Sequence, residues 1–258
     1  MKKFSIIILV KDSYNLERCL NSIKENKHKN SELILIDKTN NNKINDVLKK
    51  FDSDNITYIK NEEFDFRNDF NKLIKGLTSD YFIMLDDADA LGINALQILN
   101  EKVNKETVIK VNNSHTYKRD SGKNILPSLL NDSEYLNINI YLFKTDYIKT
   151  KKHFFTPLYL ITTSLLDSLD TLVLNDSLIY NDSVKLNNKY LIEDYFLVID
   201  RIKKDRLKEK REVINKISYL VLDYLSKGKY KKEKKEIRNN IKAEGFKEKL
   251  KKFKYRFK

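Results

Sequence analysis

The sequence predicts an α/β fold, a mostly parallel sheet with flanking helices, followed by a helical, basic C-terminal tail. Three observations carry this expectation. Apolar β-branched runs alternate with helix-periodic segments four times between residues 4 and 85, acidic residues stand where those runs end, and lysine and arginine crowd the last part of the chain. Sheets of this kind bind their ligands off the carboxyl ends of the strands.

Residues 4–10, FSIIILV, form a continuous apolar run of the type buried on both faces of a parallel sheet. Asp12 or Ser13 then caps a helix of about a dozen residues, with Leu16, Leu20 and Ile23 on one face. ELILID (32–37) makes the second strand, TNNNK a polar turn, INDVLKKF (44–51) a helix and ITYIK (56–60) a short strand. A helix near 68–77 leads to the strand YFIML (81–85). Beyond Asp89 the rhythm loosens. A helix over 93–103, a strand TVIKV (107–111), a polar loop through Gly122 and a strand LNINIYLFKT (136–145) imply a mixed second half. A helix over 157–172 and a strand around 172–180 follow. Past residue 190 the chain reads as helical and lysine-rich, with Ile214, Ile217, Val221 and Leu225 at helical intervals.

A chain of 258 residues holds one large domain with an appendage. Five Gly and two Pro are too few for a sandwich dense in tight turns. Cys19, the single cysteine, excludes an intrachain disulfide and a thiolate zinc cluster, and fits a reducing cytosolic setting. Its helical spacing with Leu16, Leu20 and Ile23 reads as core packing, not as a nucleophile. The opening MKKFSIIILVKDS imitates a secretion signal, but its apolar run of about seven residues ends in Lys-Asp, as a buried strand does. No stretch approaches the roughly twenty apolar residues of a membrane span.

The net charge of +13 is divided unevenly. Residues 201–258 carry 23 Lys and Arg against 8 Asp and Glu, or +15, whereas residues 1–200 carry 27 against 29, or −2. Basicity therefore belongs to the tail, and overall charge does not make the main domain a nucleic-acid binder. His28, His115 and His153 are scattered without ligand spacing, and there is no nucleophile elbow, Walker loop or dinucleotide fingerprint.

Asp12, Asp37 and Asp86 each fall at or just past the end of an expected strand, which assembles them at one edge. Each is also a residue type that caps the helix after a strand. In YFIMLDDADAL, Asp86, Asp87 and Asp89 follow an apolar strand directly. Crowded carboxylates repel one another unless a cation, a basic group or solvent compensates. A divalent Mg²⁺ or Mn²⁺ takes oxygen ligands and would bridge to a nucleotide diphosphate; a solvated acidic turn is the plainer alternative.

Three stretches resemble glycosyltransferase family 2, the GT-A or nucleotide-diphospho-sugar transferase fold. SIIILVKDSYNLERCLNSI resembles that family's first strand and helix, with its Leu-x-x-x-Leu-x-Ser-Ile. ELILIDKTNNN resembles the second strand, and FDFRNDFNKLIKGLTSDYFIMLDDAD the asparagine-containing helix and the Asp-x-Asp strand. Asn71 stands fifteen positions before Asp86, as the family's helix asparagine does. The resemblance implies a donor pocket over residues 1–92, an acceptor-binding half over 93–190 and a basic helical extension over 191–258. It further implies that Asp37 contacts the base or ribose of a UDP-type donor, that Leu9, Lys11 and Asp12 line the pocket with Asn71, and that Asp86 and Asp87 face ribose or metal.

Several positions depart from the family pattern. Leu9 replaces a proline, Lys38 an aspartate, and Leu73 and Ser79 two glycines. The metal-binding carboxylate falls at Ala88; a one-residue shift makes Asp87 and Asp89 the metal pair instead, since side chains two apart in extended chain share a face. An inverting transferase needs a carboxylate at the acceptor hydroxyl. Tyr180 and Ser183 match the family, but Thr162 and Thr163 stand where it carries Glu-Asp, which leaves Asp167, and Asp194 of the Glu193-Asp194 pair, as candidate bases.

The tail KAEGFKEKLKKFKYRFK interleaves Phe246, Leu250, Phe253, Tyr255 and Phe257 with lysines, a composition suited to an anionic membrane surface. The expectation is a cytoplasmic glycosyltransferase, peripheral at the inner membrane face. It would use a nucleotide sugar and a surface-polysaccharide, teichoic-acid-like or lipid-linked acceptor. The alternative is a catalytically degenerate glycan-binding or scaffold protein that partners an active transferase or self-associates.

Overall fold

The computed structural model describes residues 1–241 except 13, 41–42, 52–55, 66–67, 112–117, 132–134, 137, 151–156, 169–170, 175–178, 181–187, 206, 208–209 and 226–229. Two compact units share the chain. The first comprises Met1–Ser121, Asn137–Phe154 and Ser168–Val184, and the second Gly122–Leu136, Phe155–Asp167 and Lys185–Lys258.

The first unit is built on an eight-stranded sheet. Its leading strands are β1 (Phe4–Val10), β2 (Ser31–Asp37), β3 (Ile56–Lys60) and β4 (Tyr81–Asp86), with α1 (Leu16–Glu25), α2 (Lys43–Leu48) and α3 (Asp69–Gly76) between them. After the short β5 (Ala90–Leu91) and α4 (Ala95–Lys102) come β6 (Val108–Lys110), β7 (Lys118–Asp120), β8 (Tyr141–Lys144), α6 (Thr145–Lys149), β9 (Thr171–Val173) and β10 (Ile179–Tyr180). The strand order is β3-β2-β1-β4-β8-β6-β9-β7, and β5 pairs with β10 apart from it.

Strands β3, β2, β1 and β4 are parallel, as the alternation of strand and helix predicts. In β1, Phe4, Ile6, Ile7, Ile8 and Val10 have no exposed surface. Alternate residues serve alternate faces. Phe4, Ile6, Ile8 and Val10 join Leu16, Cys19, Leu20, Ile44, Leu96 and Leu99 from α1, α2 and α4 in one cluster. On the opposite face Phe82 packs between Phe70 of α3 and Phe143 of β8. Strand β8 runs antiparallel to both β4 and β6. The expected mixed second half begins there.

Several expected boundaries move. α1 starts at Leu16 after Asn15, which makes no side-chain capping bond, while the expected cap Asp12 accepts the Tyr14 N–H instead; Ser13 lies outside the described residues. The strand read over 136–145 shortens to β8, preceded by a 3-10 turn at Ile138–Ile140.

Among the described residues the second unit has five helices: α5 (Gly122–Leu129), α7 (Pro157–Asp167), α8 (Asn188–Lys204), α9 (Lys210–Tyr224) and α10 (Lys231–Asn239). α7 stops five residues before the expected end at 172. α5 was not legible as a helix, because it opens on Gly122 and contains Pro127. Gly122 is where α5 meets α7: a Cβ placed there would lie 2.0 Å from the Leu165 carbonyl oxygen. Ile214, Ile217, Val221 and Leu225 are buried as their spacing predicts. Among the described residues no helix is long and apolar enough to cross a membrane.

Candidate active site

Because β1, β2, β3 and β4 are parallel, their carboxyl ends share one edge. The register puts Val10 beside Asp37, Asp37 beside Lys60, and Leu9 beside Asp86. Asp37 and Asp86, far apart in sequence, thus stand on one edge, with Lys11 and Asp12 just past the end of β1.

Asp37 is completely buried. Its Oδ1 accepts the Thr39 N–H at 2.8 Å, and its Oδ2 accepts the Tyr58 hydroxyl at 2.6 Å and the Lys60 ammonium at 3.0 Å. Burial pushes the carboxyl pKa up, but the bonds from Tyr58, Thr39 and Lys60 outweigh it and hold the group below its ordinary value. Burial, reinforced by the bond to the Asp37 carboxylate and its charge, pushes the Tyr58 phenol up to about 12. Tyr58 and Lys60, which bond it, are both partly exposed. Sequence reasoning passed over these two. Their signal was the spacing of two within ITYIK, which puts both side chains on one face of β3.

The turn after β4 is the second cluster. Asp87 Oδ2 accepts the backbone N–H groups of Lys11, at 2.9 Å, and of Asp12, at 2.5 Å. Burial raises the Asp87 pKa, and those two donors oppose the rise. Asp89 is fully buried; its Oδ2 accepts the Asp86 N–H at 2.6 Å and the Asn139 side-chain N–H at 2.5 Å. Asp86 Oδ2 lies 2.8 Å from Lys11 Nζ. The Arg18 guanidinium donates to the Ala88 carbonyl. Backbone amides, Asn139 and the Lys11 ammonium thus meet the crowded carboxylates, the ammonium being a basic group of the kind expected to compensate them.

Of the expected metal pair, Asp87 turns its Oδ2 to the backbone after β1, and Asp89 is buried beside Asn139. Among the described residues no group of three or more His, Cys, Asp or Glu is placed to hold a metal. Leu9 is half-buried in β1, Asp12 is exposed, and Asn71 is half-buried on α3. Lys38 donates its ammonium to the Phe64 carbonyl.

The candidate bases belong to the second unit. Asp167 is ion-paired with Arg201 at 2.6 Å. Asp194 is completely buried. Burial raises the Tyr159 pKa, and the charges of Asp194 and Asp167 add to the rise. Thr162 and Thr163 are buried on α7, where the Thr162 hydroxyl meets the Tyr135 hydroxyl at 2.8 Å and Thr163 donates to the Tyr159 carbonyl. Tyr180 lies in β10, and Ser183 is outside the described residues.

Four parallel strands extended by an antiparallel one, with charged residues gathered on the carboxyl edge, define a GT-A glycosyltransferase fold. The chain belongs to glycosyl transferase family 2, whose family model matches residues 5–162. Among solved structures, S. aureus TarS residues 1–349 superposes with a TM-score of 0.67 at 16% identity, over 92% of this chain and 78% of that one. The same S. aureus fragment in complex with UDP-GlcNAc gives 0.59 at 14% identity, over 88% and 73%. The mannosyltransferase PcManGT from Pyrobaculum calidifontis, in complex with GDP-Man and Mn²⁺, gives 0.57 at 9% identity, over 87% and 73%. A comparison with curated proteins found no match.

Proposed function

We propose that the chain moves a sugar, with inversion, from a nucleotide-diphosphate donor such as a UDP-sugar to a surface-polysaccharide, teichoic-acid-like or lipid-linked glycan. One observation carries this reading: the Asp37–Tyr58–Lys60 cluster and the Lys11–Asp86 pair share the carboxyl edge of a parallel sheet. The neighbours solved with UDP-GlcNAc and with GDP-Man support a nucleotide-sugar donor.

In this reading residues 1–92 hold the donor. Asp37 fixes Tyr58 and Lys60 to meet the nucleoside, Leu9, Lys11 and Asp12 line the pocket with Asn71, and Asp86 and Asp87 shape its phosphate end. Mg²⁺ or Mn²⁺, where one is bound, would neutralise a departing diphosphate. Residues 93–190 serve the acceptor. Asp167, partly exposed beside Arg201, suits a base better than the enclosed Asp194.

A second reading is a catalytically degenerate scaffold that binds glycan or an active transferase. The burial of Thr162 and Thr163 where the family carries Glu-Asp favours it. Calorimetric titration of UDP- and GDP-sugars, with donor hydrolysis measured alongside, separates the two. The transferase reading expects turnover, and donor binding about 10- to 100-fold weaker in Asp37→Ala and Asp86→Ala, as loss of a charged hydrogen-bonding group entails. Binding without turnover on any acceptor selects the scaffold. Absence of binding at millimolar donor ends the transferase reading.

A further inference from the structure

We propose that the Lys11 ammonium is the resident cation of the donor site, taking the place of a divalent ion at the diphosphate, so that donor binding is metal-independent. This inference rests on the donor-site reading above and adds the identity of the charge that meets the phosphates.

Lys11 is held to the turn after β4 at two points. Its backbone N–H bonds Asp87 Oδ2 at 2.9 Å, and its Nζ lies 2.8 Å from Asp86 Oδ2. The side chain remains 48% exposed. An ammonium has three N–H donors, so one bond to Asp86 leaves donors for an incoming phosphate. The position is fixed by the carboxylate, while the charge stays open to solvent.

The rest of the turn points the same way. Asp87 Oδ2 is taken by two backbone N–H groups, Asp89 is buried against Asn139, and the Ala88 side chain has no ligating atom. Asp86 is therefore the carboxylate of the turn that faces a cation, and its cation is Lys11. Arg18 adds a second positive group beside it: its guanidinium donates to the Ala88 carbonyl while the residue stays exposed. A divalent ion reaching Asp86 meets the ammonium's charge and competes with it for the carboxylate. Added metal is accordingly a competitor at this site, and removal of the ammonium opens Asp86 to metal.

The test is isothermal titration of UDP, GDP, UDP-GlcNAc and GDP-mannose into wild type, Lys11→Arg and Lys11→Met, each in EDTA and in Mn²⁺. Circular dichroism verifies that each variant is folded. Binding of Mn²⁺ alone is followed by electron paramagnetic resonance. The expected result is wild-type affinity that is no lower in EDTA than in Mn²⁺, retained in Lys11→Arg. Lys11→Met is expected to be weaker by about 10- to 100-fold in EDTA, to regain part of its affinity in Mn²⁺, and to bind Mn²⁺ more tightly than wild type does. Wild-type binding that requires Mn²⁺, or Lys11→Met binding in EDTA equal to wild type, overturns the proposal and leaves the donor site standing. Folded wild type that binds none of the four ligands in either condition overturns the donor-site reading, and the role of Lys11 with it.

Discussion

At the scale of single residues, Asp37 is the clearest case of an ionisable group whose state is set by the fold. Its folded pKa lies below the unfolded value of about 3.9. The folded state therefore binds fewer protons than the unfolded chain just below that pH. The stabilisation is present above the unfolded pKa and is lost as pH falls through the folded one. Thermal melts from neutral pH down past pH 4 should show a shallower acid decline for Asp37→Asn than for wild type; equal slopes would refute this. Asp37 and Asp86 were legible because a carboxylate ending an apolar run is a local signal. The companions that define their chemistry were not. Tyr58 and Lys60 reach Asp37 only through the β2–β3 register, and Asn139 reaches Asp89 across fifty residues of sequence. Local pattern contains neither relation.

At the scale of elements, legibility followed apolar continuity. β1 and β2 announce themselves because each buries a run of apolar residues. β7 is three charged or polar residues, Lys118–Asp120, and offers no such run. α5 hides behind Gly122 and Pro127, although Ile125, Leu126, Leu129 and Leu130 bury a helical face. Gly122 is required by the approach of α7, so Gly122→Ala forces backbone to move. Its cost should reach about 1–3 kcal/mol, read as a lower urea midpoint at unchanged slope. An unchanged midpoint would mean that α5 does not pack this closely on α7.

At the scale of the whole molecule, the uneven charge is the main organising fact. Residues 1–200 are near neutral, and the excess of +15 lies in residues 201–258. Residues 242–258, with Phe246, Leu250, Phe253, Tyr255 and Phe257, lie outside the described residues, while α10 before them buries Ile237. Deleting 242–258 should spare α10 and the donor edge. Sedimentation with phosphatidylserine vesicles should fall several-fold and become less salt-sensitive, with nucleotide affinity unchanged. Unaltered sedimentation would remove membrane contact through the tail.

The turn after β4 has one more consequence. The backbone amides of Lys11, Asp12 and Asp86 are already committed to the carboxylates of Asp87 and Asp89. Such a turn is ordered before any ligand arrives, and the conformational entropy lost in ordering it belongs to folding. On the proposed donor-site reading, a ligand would meet a preorganised rim, and its affinity would not be reduced by the need to arrange one.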